Sequence, residues 1–320
     1  SLCDALCALR DKGNSVLVVE HDGAVMARAD WIVDMGPGAG RNGGRLVAAG
    51  TPAELTAHPD SLTGAYLRGE LSLPAATNGE ADPDLPVAIS LKGARVHNLQ
   101  GANLELEFGR MTGICGPSGS GKSSLVLDTL LPALQGEAPD GRWKSCAFPE
   151  DLRVVVVDAT PIGRTPHSVP ATYTGLLGPL RELFARTPAA RQAGMGPAHF
   201  SFNSTRGRCP ACDGRGARLV EMQFLADLWL TCDECDGSRY KPEVLEVKHR
   251  GLSMADVLAL SVDEAAEYLA HQPKCLQILQ TLQEVGLGYL GLGQPSTTLS
   301  GGEAQRVKLA SELARLKHAA

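Results

Sequence analysis

The stretch GPSGSGKSS, Gly116 to Ser124, constrains the fold of this 320-residue chain more than any other. Two glycines five apart followed by Lys and Ser fit a phosphate-cradling loop, which works only where a strand delivers the chain to the start of a helix. The flanks predict that setting. Arg110 to Cys115 reads as a short apolar strand, and Lys122 to Leu134 as a helix with its apolar residues on one side. Gly116, Gly119 and Gly121 let backbone N–H groups converge on phosphate oxygens, and the helix N-terminus adds partial positive charge. Ser118 and Ser124 complete the loop. Lys122 is expected to reach the outer phosphates and the Ser123 hydroxyl to complete a magnesium shell. The plainer alternative, a glycine-rich turn with a chance Lys, does not explain flanks of the right kind on both sides.

A chain of this length has room for about two domains, each with its own core. A hydrophobic fraction of 43% without any apolar run near a membrane span predicts a soluble protein, and no basic-then-apolar leader suggests export, so a cytoplasmic location is the default. The first helix, Ser1 to about Lys12, carries Leu2, Ala5, Leu6 and Leu9 on one face. With no cap and no Met before it, it suggests a chain cut from something longer. The net charge of −6 argues against wrapping nucleic acid with the whole surface but leaves room for a local basic groove.

Taken in order, the chain predicts a buried strand at Ser15 to Glu20 ending in His21-Asp22, and a short helix at Ala24 to Ala29. Strands follow at Trp31 to Met35 and Arg45 to Ala49, then a helix opened by Thr51-Pro52. A His at the end of a strand in an α/β layer often faces a ligand crevice, though a lone His is more often an ordinary residue. Pro, Ala, Asn and Gly mark a linker over 72–86. Further strands are expected from Val87 and at Asn103 to Phe108. Gln135 to Asp151 reads as polar and irregular, and the run RVVVVD, Arg153 to Asp158, as a fully buried strand. The fold class expected is α/β, divided into 1–71, the linker, 87–158, an inserted region 159–294 and a closing segment 295–320.

The inserted region holds Cys209-Pro-Ala-Cys212 and Cys232-Asp-Glu-Cys235, nineteen residues apart. Two such knuckles bring four thiolates to one tetrahedral zinc, and four thiolates leave no open position, so a structural Zn2+ is expected. Eight basic and eight acidic residues share 203–250, so charge alone marks no patch there. Helices are expected at Leu176 to Arg186 and within Met254 to Val285. Finally, Leu299-Ser300-Gly301-Gly302-Glu303 with Gln305-Arg306 opens a helix to about Lys317, with Val307, Leu309, Ala310, Leu313 and Leu316 on its apolar side. Ser300 and Glu303 make a capping box, and the Gly-Gly pair at a helix start also suits an anion.

LSGGE with QR, downstream of a phosphate loop, resembles the signature of ABC-type ATPases. The runs DATPIGRTPHSVPATYTG, RELFA and HFSFN, the two knuckles, and VGLGYLGLGQPSTTLSGGEAQRVKLASEL resemble the UvrA family of excinuclease ABC proteins. These are the damage-recognition ATPases of bacterial nucleotide excision repair. VVEHD, ADWIVDMGPGAG and PDSLTGAYLRGE are similar to the end of that family's first ATPase half. The resemblance covers nearly the whole chain apart from the linker and 135–151.

The resemblance implies ABC-type P-loop ATPase core pieces with an inserted α-helical signature domain carrying a zinc module. It implies ATP with Mg2+, damaged double-stranded DNA, a homodimer and a UvrB-like helicase as partners of the longer parent, and no membrane. His21 then matches the switch His of the first half, Gly116 to Ser124 the Walker A loop of the second, and Ser300, Gly301, Gly302, Glu303 and Gln305 its signature. The chain would begin after one set of Walker B carboxylates and stop before the other, so hydrolysis by this chain alone is not expected. Arg164, Arg181, Arg206 and Arg208 are the implied DNA contacts, to phosphates and so blind to sequence. Three positions depart from the family pattern: Ala159 replaces a Gln suited to magnesium and water, His167 an Arg, and Thr205 a Lys. Ala159 favours an alternative, a UvrA-like paralogue acting as a nucleotide-binding DNA-interaction or drug-resistance module with a degenerate second site. The CDGRG and CDGSR runs also resemble DnaJ-type zinc repeats, but that family has four knuckles and no phosphate loop.

Overall fold

The structure, a computed structural model, describes residues 2–38, 40, 43–71, 87–158, 160–163, 165–220 and 228–319, with side chains through 315. The expected linker 72–86, Ala159 and Arg164 lie outside the described residues. The chain is mixed α/β and divides into two compact units, one made of Ser1–Leu71 with Val157–Ala320 and the other of Ser72–Val156.

In the first unit, strands β1 (Ile32–Gly36) and β2 (Arg45–Gly50) form an antiparallel hairpin with a register shift between Asp34 and Met35. The helix Pro52–Ala57 starts at Thr51-Pro52 as its sequence predicts, with Pro52 in the first turn, and the structure adds a reciprocal capping box between Thr51 and Glu54. The Asp34 carboxylate accepts the Ser61 and Thr63 hydroxyls at 2.6 and 2.8 Å, which ties the helix Leu62–Leu67 to the hairpin.

The larger core of this unit joins Leu176, Leu180, Phe184, Phe200, Phe202, Tyr240, Met254, Val257, Leu269, Leu279, Leu282 and Val307, all essentially without exposure. It is built from short helices, among them Leu177–Ala185, Met254–Ala259, Val262–Tyr268, Pro273–Glu284 and Gly301–Ala319, matching the helices expected there. Capping boxes at Ser253/Asp256 and Ser261/Glu264 stop two of them from fraying.

The last helix corrects the expectation about its face. Ala304, Val307, Lys308, Ala310, Ser311 and Ala314 turn inward, whereas Leu309 is 39% exposed. Small residues on the inner face let the helix approach Pro273–Glu284, its most extensive partner. Lys308 is drawn inside by the acceptors described below.

The second unit is an antiparallel sheet in the order β4-β3-β5: β3 Val87–Ala94 at the centre, β4 Ala102–Glu107 on one side and β5 Ser145–Ala147 on the other. Strand β5 falls in the stretch expected to be irregular; Ser90, Leu91 and Lys92 of β3 pair with Ala147, Cys146 and Ser145. Leu91 and Ala94 pack on Leu130, Ala133 and Trp143. The helical run after the phosphate loop contains a π turn, Val126–Leu130, in which the Leu131 N–H reaches Val126 O. Pro132 accounts for it, since its ring has no N–H to donate and would crowd the Asp128 carbonyl of a regular helix.

Three expected strands do not form. Residues 15–20, 110–115 and 153–158 have no strand assignment, and Leu17, Val19, Met111 and Val154 to Val157 are exposed. Strands that are apolar on both faces depend on neighbours on both edges and cover on both sides, and the described residues offer these segments neither. The helix Leu2–Asp11 forms as expected, yet buries none of its residues, with Leu2 and Leu9 both bare.

Candidate functional site

The phosphate loop arrives at its helix through left-handed glycines: Gly119 at φ +80° and Gly121, the N-cap, at φ +99°. A Cβ at Gly121 would stand 3.0 Å from both Asn98 Oδ1 and Leu99 Cδ2, so the position takes nothing larger. Lys122 Nζ donates to Gly116 O and Pro117 O, each at 2.8 Å, and so closes the loop on itself. The amide of Asn98 donates to Gly119 O at 2.9 Å and buttresses the loop from outside. Sequence reasoning missed Asn98, because nothing in the pattern links it to a loop twenty-one residues later.

The start of the last helix is a complete capping box. Glu303 accepts from the Ser300 N–H at 2.8 Å, and Ser300 Oγ accepts from the Glu303 N–H at 3.3 Å. The other Glu303 oxygen accepts the Tyr289 hydroxyl at 2.9 Å, and Arg306 donates to Gly286 O at 3.1 Å. Gly301 and Gly302 are exposed, with open space where a Gly302 Cβ would be. The cap and an open amide end coexist here. Gln305 is half-buried on the same turn.

Two turns on, the Lys308 ammonium donates to the Asp158 carboxylate and, at 2.6 Å, to Thr160 Oγ1. Hydrogen bonds from Lys308 and Thr160 hold the Asp158 carboxyl down to about 2 from its ordinary 3.8. The folded chain therefore favours the ionised acid, and this contribution is complete above pH 3.8 and is lost as pH falls through about 2. Asp158→Asn is expected to lower the melting temperature by a few degrees at neutral pH, a modest effect because Asp158 is half exposed. Thermal scans should show that gap to wild type closing on acidification between pH 3.8 and about 2; a gap that does not change would refute the assignment.

The four cysteines converge. Cys209, Cys212 and Cys232 are buried and Cys235 nearly so, with all four sulfurs within 4.8 Å of one another. A tetrahedral ion with Zn–S bonds of about 2.3 Å needs sulfurs about 3.8 Å apart, and Cys212 Sγ lies 3.7 Å from Cys235 Sγ. The donor set and spacing fit zinc. Cys212 and Cys235 are each followed by Asp-Gly in left-handed geometry, at φ +52° and +78° for Asp213-Gly214 and +46° and +75° for Asp236-Gly237. The antiparallel strands β6 (Ala217–Val220) and β7 (Leu228–Thr231) join the two knuckles.

Burial pushes the Cys212 thiol up and Cys235 to about 12. Burial opposes ionisation at Cys232 too, but the N–H groups of Cys235 and Glu234 and the neighbouring thiols outweigh it and bring Cys232 to about 7. Cys232 is thus more acidic than Cys212 and Cys235.

No family model matches the chain. It is 51% identical over 320 residues to UvrABC system protein A of Thermus thermophilus, across 98% of this chain and 33% of that protein. The corresponding figures for UvrABC system protein A of Pseudomonas aeruginosa are 49%, 98% and 34%. The solved structure of UvrA2 from Deinococcus radiodurans superposes with a TM-score of 0.92 at 46% identity, over 98% of this chain and 38% of that one. Over the stretch it spans, the chain belongs to the UvrA family. It spans about a third of the length of the curated relatives it matches.

The other residues singled out by the UvrA resemblance are placed as follows. His21 is exposed just before the helix Gly23–Met26, where Asp22 accepts the Ala24 N–H as N-cap. His167 Nδ1 lies 3.1 Å from Asn203 Oδ1, which joins two of the family's motifs. Arg206 is exposed; Arg208 pairs with Asp213 of its own knuckle at 3.1 Å; Arg181 lies on the helix Leu177–Ala185 with a buried, unpartnered Nε. Among the described residues no helix is long and apolar enough to cross a membrane.

Proposed function

We propose that this chain supplies part of an ATP-dependent DNA-damage recognition protein of nucleotide excision repair. The observation that carries the reading is 51% identity to a UvrABC system protein A across 98% of the chain. In this reading the fold is an ABC-type P-loop core interrupted by an α-helical signature domain, over the boundaries drawn from the sequence. Gly116 to Ser124 hold the phosphates of ATP with Mg2+, Ser300 to Gln305 form a signature for an opposing nucleotide, and His21 is the switch histidine of the other half. Cys209, Cys212, Cys232 and Cys235 hold a structural Zn2+ that supplies cross-linking and no reaction chemistry.

The bare apolar segments 15–20, 110–115 and 153–158 support the view that a working site needs more chain than this one supplies. Pairing with that additional chain would cover them, and the chain alone does not hydrolyse ATP. Damaged double-stranded DNA, a UvrB-like helicase and a second copy are the partners of the longer protein, which works in the cytoplasm.

DNA binding tests the reading. The chain is expected to bind a lesion-bearing duplex with an affinity that falls steeply with salt. Arg164→Ala with Arg206→Ala should lower the slope of log K against log salt by about 0.9 for each phosphate no longer neutralised. An unaltered slope removes these two arginines from the interface, and no binding at low salt removes the DNA role of this chain. Ala159, together with the likeness to UvrA2, favours a second reading, a paralogue whose second nucleotide site binds without turning over.

A further inference from the structure

Arg239 stands at a junction that the sequence gives no reason to notice. It lies four residues after Cys235, in the left-handed region at φ +72°, where a side-chain-bearing residue is costly to keep. Its backbone belongs to the four-cysteine cage: its N–H donates to Cys235, and its carbonyl accepts the Cys209 N–H at 2.9 Å. Its side chain belongs elsewhere. The guanidinium is buried over the Phe202 ring, 5.1 Å from the centroid, and donates to Pro166 O at 3.1 Å and Gly293 O at 3.0 Å.

Those two carbonyls lie on different loops. Pro166 is in the segment that runs on from Asp158 and Thr160, and Gly293 lies seven residues before Ser300. The loops also bond to each other: the Ser296 N–H donates to Ser168 O at 2.9 Å, Ser296 Oγ to Gly163 O at 3.0 Å, and the Ala171 N–H to Leu292 O at 3.0 Å. One fork thus pins both, its two terminal nitrogens each holding one carbonyl in a fixed planar geometry.

We propose that Arg239 is a positioning residue through which the metal in the four-cysteine cage sets the arrangement of the segments that carry Pro166 to Ala171 and Leu292 to Ser296. The cage holds the Arg239 backbone in its costly conformation. Without the ion, the turn relaxes to a commoner φ, the fork withdraws and both carbonyls lose their donor. The inference rests on the metal reading of the cysteines and goes beyond it by giving that ion an influence outside the knuckles.

Hydrogen exchange read by mass spectrometry, with zinc content assayed in parallel, tests this on the whole chain. Chelating zinc from the wild type should speed exchange at the amides of Ser168, Ala171, Gly293 and Ser296 by at least about tenfold. The buried helix Leu177–Ala185 should keep its protection. Arg239→Lys, which keeps the charge but not the fork, should retain its zinc, show the fast exchange with zinc bound, and gain nothing further on chelation. Three results overturn the coupling: unchanged exchange in chelated wild type, an undiminished chelation response in Arg239→Lys, or loss of protection spread equally to Leu177–Ala185. A chain that takes up no zinc overturns the metal reading itself, and the metal assay tells the two failures apart.

Discussion

Cys232→Ala is expected to release the metal and lower the melting temperature by roughly 6–12 °C. Cys232 is fully buried and its sulfur is one of four that converge on a single point, so its loss leaves a tetrahedral ion one ligand short. An ion held by the four sulfurs would close the loop between Cys212 and Cys232. A cross-link over a loop of that length is worth about 3 kcal/mol, and each kcal/mol moves the midpoint of a domain this large by about 2–4 °C. Differential scanning of the wild type with and without chelator should reproduce the shift, and chelator should leave the variant where it is. A variant that keeps one zinc per chain would show that the four sulfurs are not the ligands.

Lys122→Met is expected to weaken binding of Mg–ATP by about 10- to 150-fold, the loss that follows removal of a charged hydrogen-bond donor worth about 1.5–3 kcal/mol. Titration calorimetry against the wild type measures it. The wild-type affinity already carries a cost, because Lys122 must first leave Gly116 O and Pro117 O, to which it donates when no phosphate is present. The variant should keep its melting temperature, since Lys122 is only half-buried and its partners are backbone carbonyls of an exposed loop. Equal affinity in the two proteins would dissociate the loop from phosphate binding.

What the sequence showed in advance was whatever a few neighbouring residues decide among themselves. The Thr51-Pro52 helix start and the Ser300/Glu303 box are local signals, and both form. The two knuckles are equally legible, because ligand chemistry and spacing fix them together. Distant partners decide the rest. Strand β5 exists because β3 offers it an edge, whereas the valines of 153–157, with far stronger strand character, have none among the described residues. The inner face of the last helix includes Lys308 because Asp158, 150 residues earlier, receives it. No periodicity of apolar residues could have placed a lysine there. Arg239 looked like one charge among sixteen in a stretch of zero net charge, and only the fold reveals that it leaves the surface. The π turn at Val126–Leu130 departs from the plain helix expected over Lys122 to Leu134, and Pro132 is the local residue that accounts for it.

The repeated Cys-Asp-Gly turn gives the metal module a near-duplicate pair of jaws, with Asp213-Gly214 and Asp236-Gly237 agreeing within a few degrees in φ. What continues from each jaw differs. The first runs through Arg215 and Gly216 into an exposed hairpin, while the second runs through Arg239 into the core. A receptacle built alike on both sides thus opens onto the surface on one side and into the packed interior on the other. A displacement of the β6–β7 pair would therefore reach the loop ahead of the last helix by way of Arg239, and a displacement of that loop would reach the knuckles by the same route.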